Sequence, residues 1–407
     1  AAARVPRSAC LGLLRRPLAA PAAAAPAAAA PAVPCASALP RVPEPEATPA
    51  RGGQSLSLYW KLSKGKLTVW VSLSAVPGYL VALPGAVDPL ALAALAGGTF
   101  LTSASAQTLN QLLEIERDAK MKRTAQRPLP SGRTTPAQAA WFASASGALG
   151  LAALSLGTTP LAAAVAGATM ATYAAVYTPM KALSPYNTHV GAVSGSLPTL
   201  LGFAAALGTD LVASPWALPA AWLFGMQTLW QMPHFYSLAW LYRSDYLRGG
   251  YKMFPLSDET GHLTAAMSKP YLAALCAMPW GLPALGLASW MLPIGAALPS
   301  WLWWRSLASF EQRPSAGTCK RFFLGSLSYL LSMLALFTAF VRAPTPAALP
   351  AEEGSSEQAP KTGDAPEFLE PAWRARMRAY FMDACPHETM RHVFFGAGRS
   401  GCPMHRE

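Results

Sequence analysis

Acidic side chains are scarce in this chain. Of its 407 residues only 20 are Asp or Glu, and between positions 53 and 342 there are nine. Charge of either sign is low, at 13%, about half of what a soluble domain carries, while 52% of the residues are hydrophobic. That balance excludes an ordinary soluble enzyme and points to an all-α polytopic membrane protein. Cysteine is equally uninformative as a scaffold. Six are present, at 10, 35, 276, 319, 385 and 402, with no CxxC pair and no framework spacing. A net charge of +12 brings nucleic acid to mind, but no basic stretch with interleaved aromatics supports that partner, and no nucleic acid is expected.

What is present is long apolar runs. They lie near 67–84, 90–112, 138–156, 160–180, 189–208, 216–241, 270–288, 290–309 and 322–341. Each is about the length that crosses a bilayer, so about nine transmembrane helices are expected around a central intramembrane cavity. Lys and Arg gather in alternate loops, among them Lys61, Lys64, Lys66, Lys120, Lys122, Arg123 and Arg127. The opposite connections, near 84–89, 157–160, 209–215 and 289, hold neither, the asymmetry of the positive-inside rule.

The flanks differ from this body. Residues 1–50 are Ala- and Pro-rich with five arginines before the first acid, Glu44. This is the pattern of a mitochondrial transit peptide. A multi-pass protein of the mitochondrial inner membrane follows, with its N-terminal side and basic loops in the matrix and its C-terminal tail in the intermembrane space. The expected intramembrane domain is 57–342. Residues 343–407 read as a soluble, largely disordered tail with one short helix. Its Cys385-Pro-His387 and Cys402-to-His405 groups are too closely spaced for a four-ligand zinc site.

The scarce acids are concentrated. Three of the nine occur in Asn110–Gly132, "NQLLEIERDAKMKRTAQRPLPSG". Asn110, Glu114 and Asp118 stand at i, i+4 and i+8, so they share one helix face. An amide oxygen and two carboxylates are hard ligands of the kind magnesium takes, with phosphate oxygens completing the shell. Arg123 and Arg127 can grip a diphosphate bidentately, and Lys120, Lys122 and Lys181 add point charges. Glu116 lies off that face and reads as a solvated helix-end charge. Together these residues imply departure of a diphosphate from an organic group held in the membrane.

The pattern N-x-x-x-E-x-x-x-D-x-x-M-x-R-T-x-x-R-P-L-x-x-G resembles the first motif of the UbiA-type intramembrane prenyltransferases. "YTPMKALSPYNTHVGAVSGSLPTLLG" and "WQMPHFYSLAWLYRSDYLRGGYKM" resemble further stretches of the branch that farnesylates haem B. The resemblance covers roughly 57–340. It implies transfer of a farnesyl group from farnesyl diphosphate to a vinyl group of haem B with water supplying a hydroxyl, giving haem O for haem A biosynthesis and cytochrome c oxidase assembly. Haem A synthase and oxidase assembly factors are then expected partners, beside membrane lipid.

By the same resemblance Asp118, Arg123, Arg127, Lys181 and His234 are catalytic. Asn110, Lys120, Lys122, Asn187, Trp230, Phe235, Asp245 and Tyr246 bind substrate. Asn110, Glu114, Asp118 and Asp245 hold magnesium. His189 reads as a packing residue. Two departures stand out. Ala182 replaces the arginine usual after the lysine at 181, and the second acidic motif is reduced to Asp245-Tyr246. The alternatives are a polyprenyltransferase acting on an aromatic acid in quinone synthesis, which would carry an intact second motif, and a transporter or assembly factor for a polyanion.

Overall fold

The computed structural model describes residues 52–83 and 85–342, with side chains from residue 56 onward. Both expected flanking segments, 1–50 and 343–407, lie outside the described residues. Fourteen α-helical segments follow one another among the described residues. They are α1 (Gly52–Leu62), α2 (Gly65–Ala82), α3 (Pro89–Leu113), α4 (Ile115–Lys120), α5 (Pro136–Gly157), α6 (Pro160–Ala171) and α7 (Thr178–Leu183). The second half comprises α8 (Asn187–Leu207), α9 (Ala217–Leu241), α10 (Arg243–Arg248), α11 (His262–Ala277), α12 (Gly281–Ala284), α13 (Met291–Gln312) and α14 (Ala316–Phe340).

The starts of the long helices are written locally. Asp88 caps α3, Thr159 caps α6, and both precede a proline at the first helical position. Thr135 with Gln138, and Ser315 with Thr318, form reciprocal capping boxes at α5 and α14. α3 packs on α5 and α2, α8 on α2, α6 and α9, and α14 on α13, α9 and α2, which closes the helices into a ring. Large apolar side chains such as Trp141, Leu149, Leu156 and Leu298 face outward, whereas Thr108, Gln111, Ser194 and Ser196 are buried. An apolar exterior, with the buried polar groups hydrogen-bonded inside the bundle, suits a lipid surrounding.

Five of the described segments, 89–113, 136–157, 160–183, 187–211 and 316–340, are long and apolar enough to cross a membrane, fewer than the nine expected. α2, α9 and α13 are long but carry tryptophan, proline and polar side chains. Three further differences bear on the site. The helix holding Asn110, Glu114 and Asp118 is interrupted at Glu114, whose backbone (φ −112°, ψ 12°) ends α3 before α4 resumes. The expected helix 160–180 contains a π-helical stretch, Thr172–Tyr177, just before Pro179, a widening often found at functional sites. The expected helix 270–288 starts earlier, at His262, and breaks up from Met278 onward, where Pro279 and Pro283 follow.

That early start has a physical cause. Asp258 accepts from the Gly261 and Thr264 backbone N–H groups and from the Thr260 and Thr264 hydroxyls, at 2.7–3.1 Å. Burial would raise its carboxyl pKa, but these hydrogen bonds outweigh it and hold the group below its ordinary value of 3.8. Because the folded pKa is depressed, the stabilisation is complete above about pH 4 and is lost as pH falls through the lower folded value. Asp258→Ala is expected to cost about 1–2 kcal/mol near neutral pH. Thermal melting in detergent should show the gap to wild type narrowing below pH 4; a constant gap would contradict the cap.

Candidate active site

A cavity of about 450 Å³ opens inside the ring. Its mouth is charged, lined by Lys64, Glu114, Asp118, Arg123, Arg127 and Lys181. Four cations therefore face two carboxylates. Deeper in, the walls become aromatic and aliphatic: Trp70 from α2, Tyr173 and Tyr177 from the π-helical stretch, Trp230 and Phe235 from α9, and Phe323 from α14.

The mouth is wired pairwise. Asp118, 1% exposed, takes the Arg127 guanidinium at 2.6 Å. Glu114 takes the Lys181 ammonium at 2.9 Å. Asn110 is fully buried; its amide nitrogen donates to Glu114 (2.9 Å) and to the Thr178 hydroxyl (3.0 Å), and its oxygen accepts from Lys64 (2.7 Å). Lys181 also lies 4.8 Å from the centre of the Tyr177 ring. The Arg123 guanidinium makes no ion pair among the described residues; it sits over the rings of Tyr242 (5.1 Å) and Tyr246 (5.8 Å).

Two loops build this mouth. Arg117 donates to the carbonyls of Gly249 and Gly250. In return Asp245 accepts from the backbone N–H groups of Lys122 and Arg123 and pairs with Arg248. The segments after α3 and after α9, far apart in sequence, are thus clasped into one surface.

Not every expected residue reaches the cavity. Glu114, Asp118, Arg123, Arg127, Lys181, Trp230, His234, Phe235 and Tyr246 line it. Lys120 and Lys122 are exposed and outside its wall. Asn110, fully buried beneath Lys64, and Asp245 both stand behind the wall, Asp245 with its oxygens spent on the clasp. Asn187 is buried and ties the carbonyls of Ser184 and Lys252 together, each at 2.6 Å. Sequence reasoning had not singled out Lys64, Tyr173 or Tyr251 as cavity residues. For Lys64 the signal was the "SKGK" turn between two helices.

His234 occupies the apolar end. Its ring lies between Trp230 and Phe323, with both centroids 4.7 Å away. Nδ1 is 2.8 Å from the Ser326 hydroxyl, which itself donates to the Phe323 carbonyl. Nδ1 therefore carries the ring hydrogen and Nε2 keeps its lone pair, with no hydrogen-bond partner among the described residues.

A helical ring around a cavity with a cationic, carboxylate-bearing mouth and an aromatic interior is the architecture of an intramembrane prenyltransferase. Residues 71–339 match the profile of the UbiA prenyltransferase family, and the chain belongs to that family. Its relatives narrow the comparison. The mitochondrial protoheme IX farnesyltransferase of Arabidopsis thaliana is 46% identical over 211 residues, which cover 52% of this chain and 48% of that protein. The protoheme IX farnesyltransferase of Salinibacter ruber is 39% identical over 280 residues, covering 68% of this chain and 96% of that one. The human mitochondrial protoheme IX farnesyltransferase is 36% identical over 281 residues, covering 68% and 60%. The chain thus spans about half the length of the plant relative. Among solved structures, a digeranylgeranylglyceryl phosphate synthase superposes with a TM-score of 0.57 at 18% identity, covering 70% of this chain and 97% of the other. A UbiA homologue from Aeropyrum pernix gives 0.56 at 19%, covering 67% and 96%. Both share the fold.

Proposed function

We propose that the chain transfers a farnesyl group from farnesyl diphosphate to a vinyl group of haem B, giving haem O, in the mitochondrial inner membrane with the cationic mouth toward the matrix. One observation carries the reading: a single cavity joins a cationic, carboxylate-bearing mouth to a wall where an uncommitted histidine nitrogen stands among aromatic rings. Relatives named protoheme IX farnesyltransferase support the acceptor.

Arg123, Arg127 and Lys181 bind the diphosphate oxygens. The ring faces of Trp70, Tyr173 and Tyr177 suit an allylic cation once the C–O bond breaks, and the lipid-facing helices keep bulk water away from it. The vinyl π electrons then form the new C–C bond, and water adds at the resulting cation with loss of a proton. Magnesium fits the donor chemistry of the mouth, because the Asn110 amide oxygen and the Glu114 and Asp118 carboxylates each already face a cation of the protein. Those three residues would hold it, and when bound it neutralises charge on the departing diphosphate. In this reading Asp245 is a clasp between loops, and Asn187, Lys120 and Lys122 act outside the cavity.

His234 orients the haem through Nε2, with Ser326 fixing the tautomer. Titration of the purified chain with haem B should shift the Soret band. His234→Ala should weaken haem binding about ten-fold or more while leaving diphosphate affinity unchanged. Equal haem affinity in the two proteins would remove His234 from the acceptor site.

A further inference from the structure

Lys64 is the one charged group of the mouth whose polar partner is a neutral amide. Glu114 and Asp118 are already matched by Lys181 and Arg127, and Arg123 rests on aromatic faces. The Lys64 ammonium instead sits 2.7 Å from the Asn110 oxygen, at the edge of the cavity. Lys64 is half-buried, and an ammonium hydrogen-bonded there to a neutral group is less well compensated than one paired with a carboxylate.

Its backbone makes the placement deliberate. Lys64 has φ 48° and ψ 48°, the only non-glycine residue with positive φ among the described residues. Such a conformation is unfavourable for a side chain with a Cβ and is concentrated at functional sites. The next residue must be glycine, because a Cβ on Gly65 would fall 2.2 Å from the Trp60 ring. The turn between α1 and α2 is thereby closed tightly, and it carries Lys64 over the Asn110 end of the oxygen-donor group.

Resting on the reading that Asn110, Glu114 and Asp118 hold magnesium, we propose that Lys64 occupies the cation position on Asn110 in the substrate-free enzyme. It leaves the amide for a diphosphate oxygen when that substrate arrives, and so uncovers Asn110 for the metal. Metal and diphosphate then enter together. Metal alone meets a site whose three oxygen groups are already held by Lys64, Lys181 and Arg127. The arrangement keeps a divalent cation from settling unproductively in a mouth that has no substrate. Lys64 acts here as a positioning residue that sets the order of binding.

The test uses Mn²⁺ in place of magnesium, followed by electron paramagnetic resonance on the detergent-purified chain, with inorganic pyrophosphate as the probe. Wild type should bind Mn²⁺ weakly alone and at least about ten-fold more tightly with pyrophosphate. Lys64→Met, which keeps the length of the side chain, should bind Mn²⁺ alone about ten-fold more tightly than wild type and lose most of the pyrophosphate effect. Tight Mn²⁺ binding by wild type without pyrophosphate would overturn the proposal, and this arm needs no variant. An undiminished pyrophosphate effect in folded Lys64→Met would overturn it as well. Failure of wild type to bind pyrophosphate at all, with or without Mn²⁺, would sink this proposal and the diphosphate reading of the mouth together.

Discussion

Asp118→Asn should lower farnesyl transfer by about three orders of magnitude while leaving the protein folded. Asparagine has the same shape and can still accept from Arg127, so the buried contact at 2.6 Å survives. What is lost is a negative charge in a mouth where four cations already outnumber two carboxylates. In the proposed reading magnesium then loses a ligand, and Arg127 loses the group that aims it across the cavity. The checks are product formation under saturating farnesyl diphosphate and the melting temperature in the same detergent. Arg127→Ala should behave alike, with the larger effect on KM because it removes the diphosphate contact proposed for Arg127. Near-wild-type turnover in either variant would remove the diphosphate assignment.

The second large effect is on stability. α2 and α8 approach so closely that a Cβ on Gly202 would lie 1.9 Å from the Ala75 carbonyl oxygen. Backbone, unlike a flexible side-chain tip, cannot turn aside. Gly202→Ala should therefore push the helices apart and cost about 2–3 kcal/mol, or prevent folding. Since α2 carries Trp70 and α8 carries Gly191 and Gly195, all on the cavity wall, any protein that does fold should also lose activity. Gly97, in α3, has nothing within 4 Å of its added Cβ, and Gly97→Ala should leave the melting temperature unchanged or slightly raised. A Gly202→Ala protein as stable as the Gly97→Ala control would contradict the close approach.

Local patterns were the legible ones. The apolar runs located most of the helices, and the caps that set their starts at Pro89, Pro136 and Pro160 lie in the adjacent residues. The motif from Asn110 to Gly132 exposed the mouth because its residues are neighbours in sequence. Long-range placement was hidden. Nothing in the order of residues says that Asp245 turns to the backbone of Lys122 and Arg123, so a carboxylate in a loop looked like a ligand. Lys64 was overlooked because its role depends on a left-handed turn and on Asn110, 46 residues away. The early start of α11 was missed for a different reason: Asp258 caps a polar first turn that an apolar window does not register. The interruption at Glu114 bends the face on which the three oxygen groups had been aligned, yet Asn110 and Glu114 still meet at 2.9 Å.

The central claim is that one cavity brings farnesyl diphosphate and haem B together. It is tested most directly by incubating the purified chain with both substrates and magnesium, separating the porphyrins and measuring their mass. The expected product is haem carrying one added farnesyl group and one hydroxyl, absent without magnesium and absent in Asp118→Asn. Unchanged haem, together with prenylation of an aromatic acid offered in its place, would contradict the account.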